Sequence, residues 1–504
     1  MAEFGFLSIV PAILALFLAF TTQHVVLALG VAVMTGMMII TGGNFIDASQ
    51  MMLVDGPFAQ LAKSSNAQIV IVITIISGFI YLVEQSGGMK AFSNMATRYV
   101  SNPVKAQLAT WCTGIAIFFT DSGNSLILGP MFSPIFEKLK LSREKLAYII
   151  DSTSSPVCVL IPIISWGVYS QGLIENAFEN MGQPVDGFTT FIQVIPYQLY
   201  ALLALASVPI YAVMGKDWGP MAVAEQKARQ QLQEKTNTDV EKSAQSELQK
   251  SPAISLIMVP LSILLGCIIT LFTYNYYQYG GISGPVIRST LGTSYLIASV
   301  STIAFYGIKN VMSYSQAFNT FVVGMQRIMQ IIIILLLAWT LGDICKELGT
   351  GSYISRIMSD RLPVFVLPAL IFIIGGFISI ATGSSWGTFA ILIPIVVPIA
   401  SALGADPLIC IGAALSGGML GDHTSPISDT TILSSMSTGC DHVSHVRTQF
   451  PYAILTAVTA SIGFMIAEFT RNPWTIFAAL VLQIFFIFVM TRRSSSVSTK
   501  SIQV

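Results

Sequence analysis

Residues 421–435 read GDHTSPISDTTILSS and lie inside an apolar run from 406 to 436. Asp422 and Asp429 flank a proline in this run, and His423 follows the first aspartate. Burying an ionisable side chain among apolar residues is costly, so such a residue is by default a candidate for function. The stretch therefore predicts a broken helix whose carboxylates bind an ion. The alternative interpretation is a polar loop that merely joins two helices.

The composition indicates that the surroundings of this stretch are a lipid bilayer. Of the 504 residues, 53% are hydrophobic and 10% are charged, whereas soluble proteins carry roughly 25% charged residues. So few charges cannot cover so much apolar surface in water. The formal net charge is zero, which gives no reason to expect a nucleic-acid partner. The six cysteines lack metal-ligand spacing, and no nucleotide-binding or nucleophile motif is present, so we expect neither an enzyme nor a cofactor.

Apolar runs long enough to cross the bilayer recur along the chain. A crossing needs about 20 apolar residues for ~30 Å of hydrocarbon. The candidate runs are 5–20, 25–41, 67–84, 106–137, 155–171, 189–214, 252–273, 291–308, 327–345, 363–403, 406–436, 449–470 and 473–491. Two of them, 106–137 and 363–403, are too long for one helix and are interrupted by DSGNS (121–125) and TGSSWG (382–387).

The distribution of basic residues predicts the topology. The positive-inside rule assigns the hydrophilic segment 215–250, the basic cluster at 138–145 and the tail after 491 to the cytoplasm. These assignments agree only if 106–137 and 363–403 are re-entrant hairpins that return to the side they entered from. We therefore predict an all-α polytopic membrane protein with about eleven transmembrane helices and two hairpins, the N-terminus outside and the C-terminus inside.

Motifs of the first half recur in the same order in the second half. The pairs are EQSGG (84–88) with ELGTG (347–351), the P-x3-P spacings 130–134 and 394–398, and DSTSSP (151–156) with DHTSP (422–426). In this topology the span that ends near Glu84 runs towards the cytoplasm and the span that ends near Glu347 runs away from it. The repeats are therefore inverted, as in many secondary transporters. The predicted units are a first repeat with N-terminal helices (1–214), a cytoplasmic linker (215–250), a second repeat (251–471) and a last transmembrane helix with tail (472–504).

Polar residues at the breaks are the candidate ligands. Hard cations take oxygen ligands, and broken helices free backbone carbonyls. Asp121 lies at the first hairpin tip, where the alternative is a helix N-cap. Asp151 opens a broken helix, where the alternative is a cap at the membrane surface. The neighbouring candidates are Ser122, Asn124 and Ser125 at the first tip, Ser384 and Ser385 at the second, and Thr153 and Ser154 after Asp151.

Other polar residues are interpreted as structural. Glu84 and Glu347 end equivalent apolar segments before glycine-containing turns, and we interpret them as caps at the membrane interface. His442 and His445 follow Asp441 between two apolar runs, and we interpret them as solvated loop residues. Trp386 at the second tip is a weaker candidate for a substrate path. Burial raises a carboxyl pKa and a bound cation lowers it, so one carboxylate can hold either a proton or a sodium ion.

At 421–435 the sequence resembles the NhaC family of sodium/proton antiporters, and the paired hairpins resemble the wider ion transporter superfamily. The resemblance implies an elevator-type transporter in the cell (inner) membrane, working as a homodimer, with ions and substrate held at the tips and breaks. Carried over by motif, the implied ion and substrate ligands are Asp422, Thr424, Ser425, Ser428, Asp429 and Thr430, together with Ser122, Gly123, Asn124, Ser125, Ser384 and Ser385.

Three functions remain open on the sequence. The first is Na+/H+ antiport, with Asp422 and Asp429 as the first-choice Na+ and proton carriers and Asp121 and Asp151 as the second choice. The second is sodium- or proton-coupled transport of an organic acid or amino acid, since some relatives exchange malate for lactate. Buried cationic partners are scarce in the broken segments, which weighs against a dianion. The third is a passive channel or a membrane scaffold, which has no need of carboxylates in a repeated hairpin design.

Overall fold

The computed structural model describes residues 4–88, 100–235, 253–279, 283–358 and 363–500. Throughout these ranges the regular structure is helical, and no strand occurs in them. The predicted all-α class is therefore confirmed. Of the predicted cytoplasmic linker, residues 236–250 lie outside the described ranges.

The first half of the chain forms thirteen described α-helices, two of them very short. Their bounds are α1 (Val10–Thr22), α2 (Val25–Ile40), α3 (Phe45–Val54), α4 (Pro57–Ala62), α5 (Ser64–Glu84), α6 (Pro103–Ala116), α7 (Asp121–Lys138), α8 (Arg143–Ser152), α9 (Ser155–Cys158), α10 (Ser165–Asn180), α11 (Gly187–Val194), α12 (Leu199–Met214) and α13 (Gly219–Lys235). Short 3-10 helices at Gly5–Ile9 and Ile195–Tyr197 precede α1 and α12.

The second half adds eleven described α-helices. Their bounds are α14 (Ser255–Tyr279), α15 (Gly284–Ile308), α16 (Tyr314–Arg327), α17 (Met329–Glu347), α18 (Thr350–Met358), α19 (Leu367–Thr382), α20 (Ser385–Leu403), α21 (Pro407–Asp422), α22 (Asp429–Thr438), α23 (His442–Thr470) and α24 (Thr475–Lys500), with a 3-10 turn at Val364–Val366. Helix α16 was not among the predicted apolar runs, because its moderately polar sequence masks its continuity with α17.

Nine of the described helices are long and apolar enough to cross a membrane, and the number rises to eleven if two bent pairs each count as one span. This range agrees with a polytopic membrane protein. Helices α19 and α20, the arms of the second predicted hairpin, are among the nine by length and composition. The re-entrant hairpins and the orientation in the membrane therefore stay predictions.

Both predicted tips are helix starts with the same local chemistry. The Thr120 hydroxyl accepts a hydrogen bond from the Gly123 amide at 3.1 Å and caps α7. The Ser384 hydroxyl accepts one from the Gly387 amide at 3.3 Å and caps α20. A side-chain oxygen at the N-cap satisfies an amide that the helix itself leaves free. The first break therefore precedes the predicted DSGNS segment, and Asp121 is the first helical residue rather than the cap.

Helices α5 and α17, which precede the two hairpins, run in opposite directions. Lys63, just before α5, forms an ion pair of 3.2 Å with Asp343 near the end of α17. At the other end of α5, Tyr81 contacts Arg327, the last residue of α16, two residues before α17 begins. The start of each helix thus lies beside the end of the other, as an inverted pair requires. The full inverted repeat stays a prediction.

Each hairpin packs against one half of the broken helix α21–α22. The Ser125 hydroxyl of α7 lies 3.1 Å from that of Ser434 in α22. Helices α19 and α21 approach at glycines, since a Cβ added at Gly417 would lie 2.6 Å from the Phe372 carbonyl oxygen. Small residues allow such close approach between membrane helices. Both tips are thereby held beside the 423–428 break.

Helix α13 docks onto the start of α8 through buried polar groups. The Glu225 carboxylate accepts hydrogen bonds from the Ser142 amide at 2.9 Å and the Ser142 hydroxyl at 2.7 Å. Lys145 pairs with Asp217, just before α13. Burial raises the pKa of the Glu225 carboxyl, an effect that the nearby Lys145 opposes. The predicted linker is therefore helical over 219–235, and this helix packs against α8 and α23.

Candidate ion and substrate site

A cavity of about 420 Å³ lies where the two tips meet the breaks of the helices. One wall comes from α5, α16 and α17 and contains Ser77, Ile80, Tyr81, Glu84, Arg327, Ile331 and Ile334. The opposite wall combines Asp121 and Ser122 of the first tip, Ser384, Ser385 and Trp386 of the second, and Ser155, Asp422, Asp429 and Thr430 of the breaks. The structure thus brings seven sequence-predicted ligands to one cavity: Asp121, Ser122, Ser384, Ser385, Asp422, Asp429 and Thr430.

Asp422 is the most enclosed carboxylate of the cavity wall, with 4% of its surface exposed. It ends α21, and the chain returns at the break so that Ser428 and Thr430 face it. The Ser428 hydroxyl donates to Asp422 Oδ1 at 2.8 Å, and the Thr430 hydroxyl donates to Oδ2 at 3.3 Å. Asp422 has no Lys, Arg or His within ion-pair distance in the described ranges. Asp429, by contrast, is an exposed residue of the wall.

A second buried carboxylate, Asp151, lies behind Asp422 and outside the cavity lining. The Thr431 hydroxyl connects the two residues, because it lies 3.2 Å from Asp151 Oδ2 and 3.1 Å from the Asp422 carbonyl oxygen. Asp151 is in the last turn of α8 and is 1% exposed. The prediction that it opens a broken helix, and the alternative of a surface cap, are both wrong. The break follows it at 153–154, because α9 restarts at Ser155 and Pro156 occupies its first turn.

The carboxylate of Asp151 is held by α23. Gln449 donates through Nε2 to Asp151 Oδ2 at 2.5 Å and to the His423 carbonyl oxygen at 2.6 Å. His445 Nε2 lies 3.6 Å from the same carboxylate oxygen and is fully buried. The interpretation of His445 as a solvated loop residue is therefore wrong, because α23 begins at His442 and turns His445 inward.

The residues of the first tip are fixed to the break after α8. Asn124 donates through Nδ2 to the carbonyl oxygens of Gly114 and Thr153, both at 2.9 Å. The Ser154 hydroxyl donates to the Asp121 carbonyl oxygen at 2.7 Å. Asn124 Oδ1 is buried and has no hydrogen-bond partner in the described part of the chain. These contacts place carbonyl and amide oxygens close behind the Asp121 wall of the cavity.

Three predicted ligands point away from the cavity. The hydroxyl of Thr153 donates to the Ile149 carbonyl oxygen, and that of Thr424 donates to the Leu420 carbonyl oxygen, each in the last turn of the helix that it follows. The Ser425 hydroxyl donates to the Ile380 carbonyl oxygen of α19 at 2.7 Å. Gly123 and Ser125 are likewise buried behind the tip. These residues support the shape of the breaks.

Sequence reasoning missed two charged residues of the cavity. Glu84, interpreted as an interfacial cap, lines the cavity and accepts a hydrogen bond from the Thr120 hydroxyl of the first tip. Arg327 also lines it and is the last residue of α16. Arg327 stands at the first residue of the run 327–345, where a basic residue is normally a membrane-interface flank. Its contact with Tyr81 depends on the packing of α16 against α5, which no local pattern shows.

The donor set is made of oxygen atoms. Groups of three or more His, Cys, Asp or Glu side chains that could hold a metal ion are absent from the described residues. Carboxylate, hydroxyl and carbonyl oxygens around the breaks suit a hard monovalent cation better than a transition metal. Non-helical backbone at membrane depth is stable only where it is packed in protein or lines a cavity. The helical spans, broken helices and polar cavity together define a secondary membrane transporter.

The chain belongs to the Na+/H+ antiporter family, whose pattern matches residues 157–469. An uncharacterised protein of Haemophilus influenzae is 30% identical over 96% of this chain and 95% of its own length. The malate-2H+/Na+-lactate antiporter of Bacillus subtilis is 30% identical over 36% of this chain and 38% of its own. The solved YdaH transporter of Alcanivorax borkumensis shares the fold, with a TM-score of 0.61, 14% identity, and coverage of 85% of this chain and 90% of that one.

Proposed function

We propose that this protein exchanges Na+ for H+ across the cell membrane, using Asp422 as the principal carrier. The observation that supports this most directly is the burial of the Asp422 carboxylate in the cavity wall without an ionic partner in the described ranges. A buried carboxylate without a cationic neighbour has to be neutralised by a proton or by a bound cation. Binding of either one excludes the other, and this competition is the chemical basis of exchange.

Several contacts favour Na+ as the competing cation. The hydroxyls of Ser428 and Thr430 already approach Asp422, and each retains lone pairs that can coordinate a cation. Asp429 and Asp121 add carboxylates to the same wall and make the approach path attractive to cations. The family is named for this exchange, and the Bacillus subtilis relative is named for coupling to both Na+ and protons.

We further propose alternating access by an elevator movement. In this scheme the hairpins α6–α7 and α19–α20 and the broken helices carry the site, while α5, α15 and α16 form the static group. The antiparallel α5 and α17 and the matched caps at Thr120 and Ser384 support two inverted repeats. A homodimer in the inner membrane remains part of this proposal by analogy with elevator carriers.

The decisive measurement is Na+-dependent proton movement in proteoliposomes that contain the purified full-length protein. We expect Na+ addition to dissipate an imposed pH gradient in the wild type. Asp422→Asn keeps the shape and the hydrogen-bonding groups but removes the charge, and we expect it to abolish exchange. Asp429→Asn, at an exposed position of the cavity, is expected to reduce the apparent Na+ affinity.

Asp406→Asn is the matched control, because Asp406 caps the opposite end of the same helix α21. Asparagine caps helices as well as aspartate does, so this variant should exchange ions at the wild-type rate. Wild-type exchange in both Asp422→Asn and Asp429→Asn would remove the assignment of these residues. A wild-type protein that couples no Na+ gradient to protons would remove the proposed function itself.

A further inference from the structure

An arginine in the cavity wall, Arg327, lies within ion-pair distance of no carboxylate in the described ranges, although Glu84 is on the same wall. Arg327 packs its guanidinium over the Tyr81 ring, with Cζ 3.9 Å from the ring centroid, and donates through Nη2 to the Tyr81 hydroxyl at 3.1 Å. None of the ion pairs in the described ranges includes Arg327. A guanidinium has five N–H donors, and Arg327 is an exposed residue of the wall, so most of its donors are accessible to another group. A site for a small cation alone gains nothing from a fixed positive charge in its wall.

The wall opposite Arg327 has the reverse charge. Asp121, Asp422 and Asp429 line the cavity from the first tip and the break, whereas Arg327 comes from the junction of α16 and α17. The Ser155 hydroxyl lies beside the Asp422 carboxylate and is 1% exposed, yet it makes no hydrogen bond of good geometry within the described chain. The cavity therefore offers Arg327, with Glu84 on the same wall, on one side, and three carboxylates with the buried Ser155 hydroxyl on the other.

The size and the apolar part of the cavity exceed what an ion needs. The volume is about 420 Å³, whereas one water occupies roughly 30 Å³ in the liquid. Organic ligands bind in pockets of about 300–1,000 Å³. The cavity lining also includes Phe119, Trp166 and Trp386, with the two indole rings 4.4 Å apart between centroids. These rings form a surface for an apolar group.

We infer that the cavity binds a zwitterionic α-amino acid with an apolar side chain. Its carboxylate pairs with Arg327, its ammonium group faces Asp121 and Asp429, and its side chain packs against Trp166 and Trp386. The inference rests on the proposed function only in that the same cavity is the transport site. Arginine binds a carboxylate through two parallel hydrogen bonds, which explains the choice of this residue over lysine.

The charges of the cavity also argue against dicarboxylates and simple amines as substrates. A dicarboxylate would place its second anionic group against Asp121, Asp422 and Asp429, and like charges in a partly desolvated site repel strongly. An amine without a carboxylate would leave Arg327 unpaired. A molecule that carries both charges satisfies both walls by itself.

The test is binding of radiolabelled leucine, methionine and phenylalanine to the purified full-length protein in Na+-containing buffer. We expect at least one of them to bind saturably. Its N-acetyl derivative, which lacks the ammonium group, and its amide, which lacks the carboxylate, should each bind about ten- to a hundredfold more weakly, the usual effect of losing a charged hydrogen bond. Malate should not compete. Failure of all three amino acids to bind, or equal binding of the amide, would overturn the inference.

A pair of arginine variants locates the site. Arg327→Gln should weaken amino-acid binding by about ten- to a hundredfold. Arg471→Gln is the control, because Arg471 contacts the Gly404 carbonyl oxygen at an exposed position outside the cavity lining. Unchanged affinity in a folded Arg327→Gln protein would contradict the inference. If that variant does not fold, the derivative series on the wild type still decides.

The outcomes for ion exchange and amino-acid binding are separable. Na+/H+ exchange is measured in proteoliposomes without any amino acid. Exchange without amino-acid binding would contradict this inference and leave the proposed function standing. Saturable binding that depends on Arg327, in a protein without Na+/H+ exchange, would support this inference and remove the proposed function.

Discussion

Asp151 and Asp422 are both buried, but their surroundings give them different tasks. Asp422 faces the cavity, where a proton or cation can reach it, and its only side-chain donors in the described ranges are hydroxyls. Asp151 is enclosed by Gln449, Thr431 and the nearby His445, and does not line the cavity. The Gln449 side-chain amide donates to both Asp151 and the His423 carbonyl oxygen, and this holds the break after α21 in place. Asp151 is thus better suited to positioning the break than to exchanging ions with the cavity.

At the scale of single residues, the sequence predicted the acidic residues of the site more successfully than the residues that contact or face them. A carboxylate in an apolar run is a local signal, so Asp121, Asp422 and Asp429 could be found from neighbouring residues alone. Arg327 and Gln449 could not, because each stands at the first residue of an apolar run, where polar residues are ordinary membrane flanks. Their roles arise from contacts with Tyr81 and Asp151, which are distant in the sequence.

The docking of α13 predicts a pH-dependent difference between the wild type and Glu225→Gln. Because burial raises the pKa of Glu225, the folded protein favours its protonated form, and the associated stability is lost as the pH rises through that pKa. Glutamine keeps an acceptor for Ser142 and does not ionise. From about pH 4 to about pH 8, we expect the unfolding temperature of the variant to rise relative to wild type, measured by intrinsic fluorescence.

A difference that stays constant across this pH range, or that shrinks towards alkaline pH, would contradict the account of Glu225. Glu144→Gln serves as a control, because Glu144 lies in the first turn of α8 close to the same junction and is only half-buried. Its substitution should leave the pH dependence of the unfolding temperature unchanged.

At the scale of elements, the breaks lie where capping chemistry allows a helix to begin. The polar DSGNS segment marked the first tip, yet its residues form the first turn of α7 because Thr120, just before it, supplies the capping oxygen. At the second tip the cap is Ser384, inside the predicted TGSSWG segment, and Gly383 adopts a left-handed φ of 63°. A glycine there avoids the strain of a side chain, and its close approach to the Ile427 carbonyl oxygen leaves no room for a Cβ.

The packing of α19 on α21 predicts a glycine requirement at 417. A Cβ at this position would lie 2.6 Å from the Phe372 carbonyl oxygen and 3.0 Å from Gly375 Cα, and neither backbone atom can move without shifting a helix. We expect Gly417→Ala to destabilise the protein by about 1–3 kcal/mol and to impair exchange, because Asp422 ends the displaced helix. Stability is measured by thermal unfolding and exchange in proteoliposomes.

Gly266→Ala is the matched control, since Gly266 lies within α14 and an added Cβ would meet no atom within 4 Å. This change should be neutral or stabilising by up to ~1 kcal/mol, the difference in helix propensity. If both variants behave alike, the close approach of α19 and α21 does not limit stability.

At the scale of the whole molecule, the cavity lies between two groups of helices. One group consists of α5, α15 and α16, which pack on one another. The other contains both hairpins with α8, α21 and α22. The sequence predicted the hairpins and the breaks as separate pieces, from polar interruptions and repeated motifs. It could not predict which helices face the hairpins across the cavity, because the sequence of an apolar span does not indicate which helix packs against it.

This division predicts that joining the two groups stops transport. Thr120 and Glu84 are hydrogen-bonded across the boundary between the first tip and α5. Ser125 and Ser434 lie 3.1 Å apart, between their hydroxyl oxygens, within the second group. Each pair is replaced by cysteines in a protein whose six native cysteines are removed, and Hg2+ is added to bridge the two thiolates. Na+/H+ exchange of each variant is compared before and after bridging, so the effect of substitution itself cancels.

We expect bridging of Thr120→Cys with Glu84→Cys to stop exchange, and a reducing thiol to restore it, because the site can no longer move relative to α5. Bridging of Ser125→Cys with Ser434→Cys should leave exchange intact, because both residues travel together. Full exchange in the bridged first pair would contradict the elevator movement. The tips would then have to admit ions to either side by opening locally, with the hairpins acting as gates over a stationary Asp422.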